Sequence, residues 1–443
     1  MDKDNNSNPN PRGALLRDPN FAWLMGGGVI SALGDQFTMI ALPWLVLQLT
    51  HDPRALGMMV ALLGLPRAVL ILFGGALVDR YSPKRVLMLT KHVNTLLLGL
   101  LAALVLAGQA TLPMVTALAI GLSLASAFSI PAGTSMLPQA VAPQHLQAAN
   151  GLMMAVRQVT MLAGPLLAGL LFALAGDGSG GVQDGDARGL GLAFGFDCLS
   201  FALSAWTLAR VRPLAPAGTA PASEPVLRAV GAGLAAVWRD TSLRIAFIYW
   251  GLCACVIGGV MQVALPLLAS ERLHGASALG LLMGAHGAGA LAGMALSGMF
   301  GKRRAGTLGI TLLLVDGLAG VLLMPLGLVT ATWQGMLINV AIGVLGGFVQ
   351  VAVFTWIQHR VAPAMLGRMM SIFMLIFMGL APLAAAAFGW LASGVSLPAL
   401  FVGAGLFLSV AALAAWLFTP MARLGEAPHG KAEADPIAAN RLT

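Results

Sequence analysis

The sequence predicts an all-α integral membrane protein, with twelve transmembrane helices in two pseudo-symmetric six-helix halves. Three observations carry this. Only 9% of the 443 residues are charged and 58% are hydrophobic, whereas about a quarter of a soluble domain is charged. The apolar residues fall into twelve runs, at 21–49, 55–78, 86–108, 112–137, 149–175, 189–209, 245–269, 276–300, 306–329, 332–357, 368–393 and 397–419. Most exceed the ~20 residues that cross a bilayer, which implies tilt or extension beyond the hydrocarbon. Third, the two halves repeat. Ala41-Leu42-Pro43 returns as Ala264-Leu265-Pro266, Ala55-Leu56-Gly57 as Ala278-Leu279-Gly280 and Gly75 as Gly298, all offset by 223. Val141-Ala142-Pro143 returns as Val361-Ala362-Pro363, offset by 220.

Residues 1–20 are polar and proline-broken, and read as a cytoplasmic tail without the compact basic start of a signal peptide. The first half then spans 21–209, the second 245–419, and 420–443 form a second cytoplasmic tail. Between the halves, 210–244 carries Pro213, Pro216, Pro221 and Pro225, and reads as a tether ending in an interfacial helix around Arg228–Arg239. Orientation follows from lysine and arginine. With the N-terminus inside, twenty bases, Lys91 among them, fall on inner segments, and only Arg54, Arg188 and Arg272 fall on outer ones. Both termini are therefore expected in the cytoplasm of a bacterial inner membrane.

The net charge of +8 is spread over span ends rather than gathered in a patch, so nucleic acid is not an expected partner. Cys198, Cys253 and Cys255 lie in apolar runs and imply no disulfide framework. No nucleotide-binding loop, metal cluster or nucleophile constellation stands in the chain. An enzyme, a cofactor and ATP-driven transport are not expected.

Between the second and third runs stands Gly75-Ala76-Leu77-Val78-Asp79-Arg80-Tyr81-Ser82-Pro83-Lys84-Arg85, which reads as a tight turn at the membrane surface. It resembles the signature of the major facilitator superfamily, with Ser82 and Pro83 in place of the usual glycine and arginine. Lys302-Arg303-Arg304 is a degenerate second copy. Leu33-Gly34-Asp35-Gln36, Leu65-Pro66-Arg67 and Leu137-Pro138 before Ala149-Asn150 are similar to the branch that holds enterobactin exporters and macrolide efflux pumps. The resemblance implies a cytoplasmic gate made of Gly75, Asp79, Arg80, Lys84 and Arg85, with Asp79 facing the positive end of a helix starting near Arg368. Thr160…Gly164-Pro165…Gly169 resembles the antiporter motif of the fifth span, with its first glycine replaced. That implies export in exchange for protons.

An ionised side chain at mid-bilayer costs about 2.5–3.5 kcal/mol on insertion scales, so intramembrane charges are functional candidates. Asp35 and Arg67 lie at similar depth on neighbouring spans. Their pair is expected to act as a proton or substrate switch, with a purely structural ion pair as the alternative. Arg157, Gln262, His286 and Asn339 are candidate polar groups of a cavity, with Arg157 snorkelling to the inner surface and His286 packing through a hydrogen bond as the alternatives, whereas Asp197 and Asp316 are expected in structural pairs. In the eighth span Ala285, Gly289, Gly293, Ser297 and Gly301 recur every four residues, a stripe that admits a close neighbouring backbone and also suits halves that rock. Met370, Met374 and Met378 form a second stripe that suits packing or an adaptable pocket.

The expected activity is proton-coupled export of an amphipathic small molecule, a drug or siderophore, by a monomer in the lipid bilayer. An uncoupled facilitator or lysolipid flippase is the alternative. A transporter-like sensor or scaffold is a third.

Overall fold

The computed structural model describes residues 17–176, 187–214, 237–300, 307–361 and 363–424, with Leu15, Gly231, Leu234 and Ala235. Within it, the side chains of 71–80, 300, 363–364, 366–368, 370–371, 374 and 377–378 lie outside the description. Twelve long helices follow one another: α1 Pro19–Thr50, α2 Pro53–Tyr81, α3 Pro83–Leu106, α4 Leu112–Ala140, α5 Leu146–Ala175 and α6 Arg188–Arg210. After the connection come α7 Thr241–Glu271, α8 Ala276–Phe300, α9 Leu308–Leu323, α10 Thr332–Arg360, α11 Pro363–Ala392 and α12 Leu397–Phe418. Eleven are long and apolar enough to cross a membrane, and α11 adds the apolar stretch Gly379–Ala392.

Capping residues set many of the starts. Asp18, Asp52, Asp240 and Thr307 each accept a backbone N–H of the first turn, satisfying donors that the helix leaves open. Proline opens α1, α2, α3 and α11, where its missing N–H costs nothing. Several helices outrun the apolar runs that announced them. Helix α2 continues to Tyr81, α10 reaches Arg360 and α11 begins at Pro363, not near 368. Hydropathy marks the hydrocarbon boundary, whereas backbone hydrogen bonding carries a helix on into the headgroups. The expected surface turn thus narrows to one residue, Ser82, at φ 77°, ψ 126° between two helices. Of the expected interfacial helix only isolated residues and Val237–Arg239 are described, in helical conformation, and Arg228 lies outside the described residues.

The two halves use the same neighbours. Helices α1 with α5, α2 with α4, α3 with α6 and α3 with α4 pack in the first half; α7 with α11, α8 with α10, α9 with α12 and α9 with α10 repeat this in the second. Between halves, α2 packs on α11 and α5 on α8, which the same internal symmetry interchanges. The glycines at these crossings obey the sequence offsets. A Cβ on Gly57 would stand 3.0 Å from Gly389 Cα, and one on Gly280 would stand 2.6 Å from Gly169 Cα. Gly57 and Gly280 are 223 apart, and Gly169 and Gly389 are 220 apart. Duplication therefore placed one backbone crossing at both interfaces.

The small-residue stripe of α8 does admit a backbone, but within its own half. Cβ atoms on Gly289 and Gly293 would strike the carbonyls of Val340 and Val344 in α10, and those on Gly343 and Gly347 would strike His286 and Ala290 in return. The contact between halves uses another face of α8, where Gly280, Gly284 and Gly287 meet Gly169, Leu166 and Leu162 of α5. The expectation that the stripe serves the rocking of the halves is corrected accordingly. Of the methionine stripe, all three side chains lie outside the described residues. Phe373 beside it is buried against Phe247, Trp250 and Phe354.

Candidate functional site

Helix rotation decides which charges share a space. At about 100° per residue, the bilayer face of α1 is that of Gly26, Ile30 and Leu33, which line apolar surface grooves with Trp206 and Leu203 of α6 and Ala163 and Leu167 of α5. Asp35 points the opposite way, and is exposed there although it stands mid-helix. On α2 the exposed face is Met58, Leu62, Leu65 and Val69, and half-buried Arg67 lies opposite it. On α5, Arg157 continues an exposed row of Asn150, Met154 and Met161, opposite the groove residues Val159 and Ala163. Asp35, Arg67 and Arg157 therefore face one space between the halves. Arg67 stands 14 residues from either end of its helix, roughly 21 Å from each.

The expected Asp35–Arg67 ion pair is not closed. Among the described residues the one ion pair within 4.0 Å is Arg360 with Asp240 at the end of α10. Asp35 lies within electrostatic reach of Arg67 and also of Lys91. Lys91 was counted above with the cytoplasmic bases. It is instead buried in α3 at 8% exposure, where it donates to Ser204 Oγ and lies over the Phe201 ring. Nineteen bases, not twenty, therefore remain on the inner segments. The orienting bias survives that loss.

Asp197 is buried in α6 and takes hydrogen bonds from Thr38 of α1 at 2.5 Å and from Ser200 at 3.1 Å. Its partners are hydroxyls, and among the described residues it forms no ion pair, because α6 presents its hydroxyl face to α1. Asp197 is near enough to Asp35 for the carboxylates to repel. Gly34 makes this approach possible, since a Cβ there would collide with Asp197 and Ser200. Ser204 extends the band by donating to the Gly27 carbonyl at 2.6 Å. The polar layer of the first half thus runs Lys91, Ser204, Ser200, Asp197, Thr38, with Asp35 on its open edge.

Other candidates divide. His286 lies on α8 with Nδ1 buried and without a hydrogen-bond partner among the described residues. Gln262 sits in a π-helical turn, Val260–Ala264, inside α7, a distortion frequent at functional sites. Asn339 is no cavity group: it is fully buried in α10 and donates to the Gly335 carbonyl of its own helix. Asp316 is buried in α9 toward Tyr249 of α7, inside the second half. In the antiporter-like motif, Gly164 seats the Gln36 side chain of α1, and Pro165 and Gly169 form the crossing with Gly280.

Of the gate, the side chains of Gly75, Asp79 and Arg80 lie outside the described residues, as do those of Arg368 and of Lys302, Arg303 and Arg304. Lys84 is engaged elsewhere, donating to the carbonyls of Ala209 at 3.3 Å and Val211 at 2.7 Å. It closes the C-terminal end of α6, where unpaired carbonyls favour a cation. Arg85 is exposed. Sequence reasoning missed Lys91, Thr38 and Ser200. The signal for Lys91 was its place eight residues inside α3, roughly 12 Å from the helix end.

Two six-helix halves around a charged central space, with duplicated crossings, define the fold of a secondary transporter. The family model for the Major Facilitator Superfamily matches residues 24–386, and the chain belongs to that superfamily of transporters. It is 25% identical over 422 residues to the uncharacterized MFS-type transporter y4rN of Sinorhizobium fredii, covering 92% of this chain and 96% of that one. It is 28% identical over 375 residues to the enterobactin exporter EntS of Salmonella paratyphi A, covering 80% and 81%. Over 229 residues it is 30% identical to the multidrug efflux pump Tap of Mycolicibacterium fortuitum, covering 50% and 53%. Among solved structures, a bacterial homolog of the human lysosomal transporter Spinster, inward-facing and occupied, superposes with a TM-score of 0.68 at 15% identity, covering 92% and 98%.

Proposed function

We propose that the protein exports an amphipathic small molecule across a bacterial inner membrane in exchange for protons, by alternating access. The observation that carries this reading is Asp35: a carboxylate at mid-membrane depth, open to the central space, held by no hydrogen bond or ion pair among the described residues. A group so placed exchanges a proton with whichever side the cavity faces. Lys91, Arg67 and Asp197 stand around it on three other helices, so a small rotation between helices changes the charge it meets. The relatives named as an enterobactin exporter and a multidrug efflux pump support the direction and the substrate class. Asp79, Arg80 and Gly75, near the C-terminal end of α2, are the proposed latch of the inner side, as the resemblance of their motif implies.

The test is transport in proteoliposomes under an imposed pH gradient. Asp35→Asn is expected to abolish gradient-driven transport while leaving a monodisperse, folded protein. Undiminished coupling in that variant overturns the role given to Asp35. A wild type whose flux ignores the gradient overturns the exchange itself and leaves the uncoupled facilitator.

A further inference from the structure

We infer that Arg67 and Arg157 form an oxyanion subsite, and that the transported molecule is an amphipathic organic anion whose head group lies between them. Its apolar body lies against the C-terminal half. The inference deepens the export reading and rests on it for the transport cycle, not for the binding.

Four observations carry it. Both guanidinium groups stand on the inward faces of their helices, well within the membrane span. Neither makes a hydrogen bond or ion pair among the described residues, and Arg67 Nε is a buried donor with no acceptor. The two lie close enough to repel each other. Asp35 faces the same space but is shared between Arg67 and Lys91, so a single carboxylate stands against Arg67, Arg157 and Lys91 and positive charge is in surplus. Two like charges and an unsatisfied donor at mid-membrane are unfavourable on their own. A planar oxyanion relieves all of it, because a guanidinium offers paired donors that match a carboxylate or phosphate.

The duplicated architecture then assigns the rest of the molecule. The offsets that relate the halves carry Asp35 to Gly258, Arg67 to Ala290 and Arg157 to Phe377. Where the first half places charge, the second half has small or apolar residues. Met294 of α8 already reaches Gln158 beside Arg157, with sulfur 3.1 Å from the amide nitrogen. At the positions that answer Asp35, Arg67 and Arg157 the second half is therefore uncharged, the charge of the cavity lies on one wall, and an amphipathic anion has one orientation in it.

Two xanthene dyes of opposite charge test this on the purified full-length protein in a neutral detergent. Fluorescein is anionic and rhodamine 6G cationic, and polarisation titrations read both. The wild type is expected to prefer fluorescein. Arg67→Gln and Arg157→Gln are each expected to weaken fluorescein about tenfold, as loss of a charge-assisted contact does, without weakening rhodamine 6G. Arg67→Lys keeps the charge and is expected to retain part of the preference. An equal loss of both dyes, a wild type without anion preference, or no binding of fluorescein overturns the subsite. Unlabelled competitors separate the sources: displacement by lysophosphatidylglycerol assigns the oxyanion to a lipid headgroup, and displacement by 2,3-dihydroxybenzoate to a soluble organic acid. Displacement by neither overturns the proposal. If the binding pattern holds but a pH gradient drives no flux, the exchange reading falls and the subsite stands.

Discussion

Ser82 bears the whole change of direction between α2 and α3. Its φ of 77° and ψ of 126° fall where a side chain is disfavoured and glycine is not. The following proline adds a second constraint, since it requires extended ψ at the residue before it. Ser82→Gly is expected to relieve strain of about 1 kcal/mol and to raise the thermal stability of the detergent-purified protein; a lower midpoint would show that the serine makes a compensating contact. The resemblance had marked this position as a departure from the usual glycine, and backbone geometry gives the physical meaning of that departure. The same scale shows where sequence reasoning stopped. Asp35, Arg67 and Arg157 were legible because a charge amid apolar residues stands out whatever the helix rotation. Lys91 was hidden because a base near a helix end satisfies the positive-inside rule equally well. The approach of Thr38 to Asp197 depends on how α1 and α6 are rotated, and no spacing within either helix encodes that.

At the scale of the helices, glycine determines how nearly the halves can meet. The crossing of α5 and α8 brings Gly280 so close that a Cβ would sit 2.7 Å from the Pro165 carbonyl oxygen as well as 2.6 Å from Gly169 Cα. Backbone cannot yield as a side-chain tip does, so a larger residue must separate the helices. Gly280→Val is expected to cost about 1–3 kcal/mol, the usual range for overpacking, and to reduce transport more than expression. Gly403→Ala, a site with no atom within 4 Å of the added Cβ, is expected to leave both unchanged. A Gly280→Val protein with full stability and flux would remove the crossing from the transport cycle. Period four in α8 was readable in the sequence, but the partner was not. A helix rich in glycine has several smooth faces, and α8 gives one to α10 and another to α5. The duplicated tripeptides proved more informative, because Gly57 and Gly280, each ending its tripeptide, are the glycines at the two crossings.

For the whole molecule, these contacts place the closed end. Helix α1 leaves the side that carries both ends of the twelve-helix bundle, so Gly57, Gly169, Gly280 and Gly389 all lie toward the opposite side. The Gln158–Met294 contact lies nearer the middle. Below it, on the side of the termini, Met154 is 66% exposed on the face it shares with Arg157. Among the described residues the halves are thus joined at the far end, and the charged space opens past Met154 toward the side of the termini. With nineteen bases on that side against three on the other, we propose from the positive-inside rule that it is the cytoplasmic side. Met154→Cys is therefore expected, after replacement of Cys198, Cys253 and Cys255, to react with a membrane-impermeant maleimide in inverted vesicles and to resist it in intact spheroplasts. A cysteine at Gln109, in the α3–α4 connection on the far side, is expected to give the reverse pattern. The swapped result, with Met154→Cys labelled only from the outside and the Gln109 cysteine only in inverted vesicles, would invert the orientation, and with it the direction in which Asp35 releases its proton.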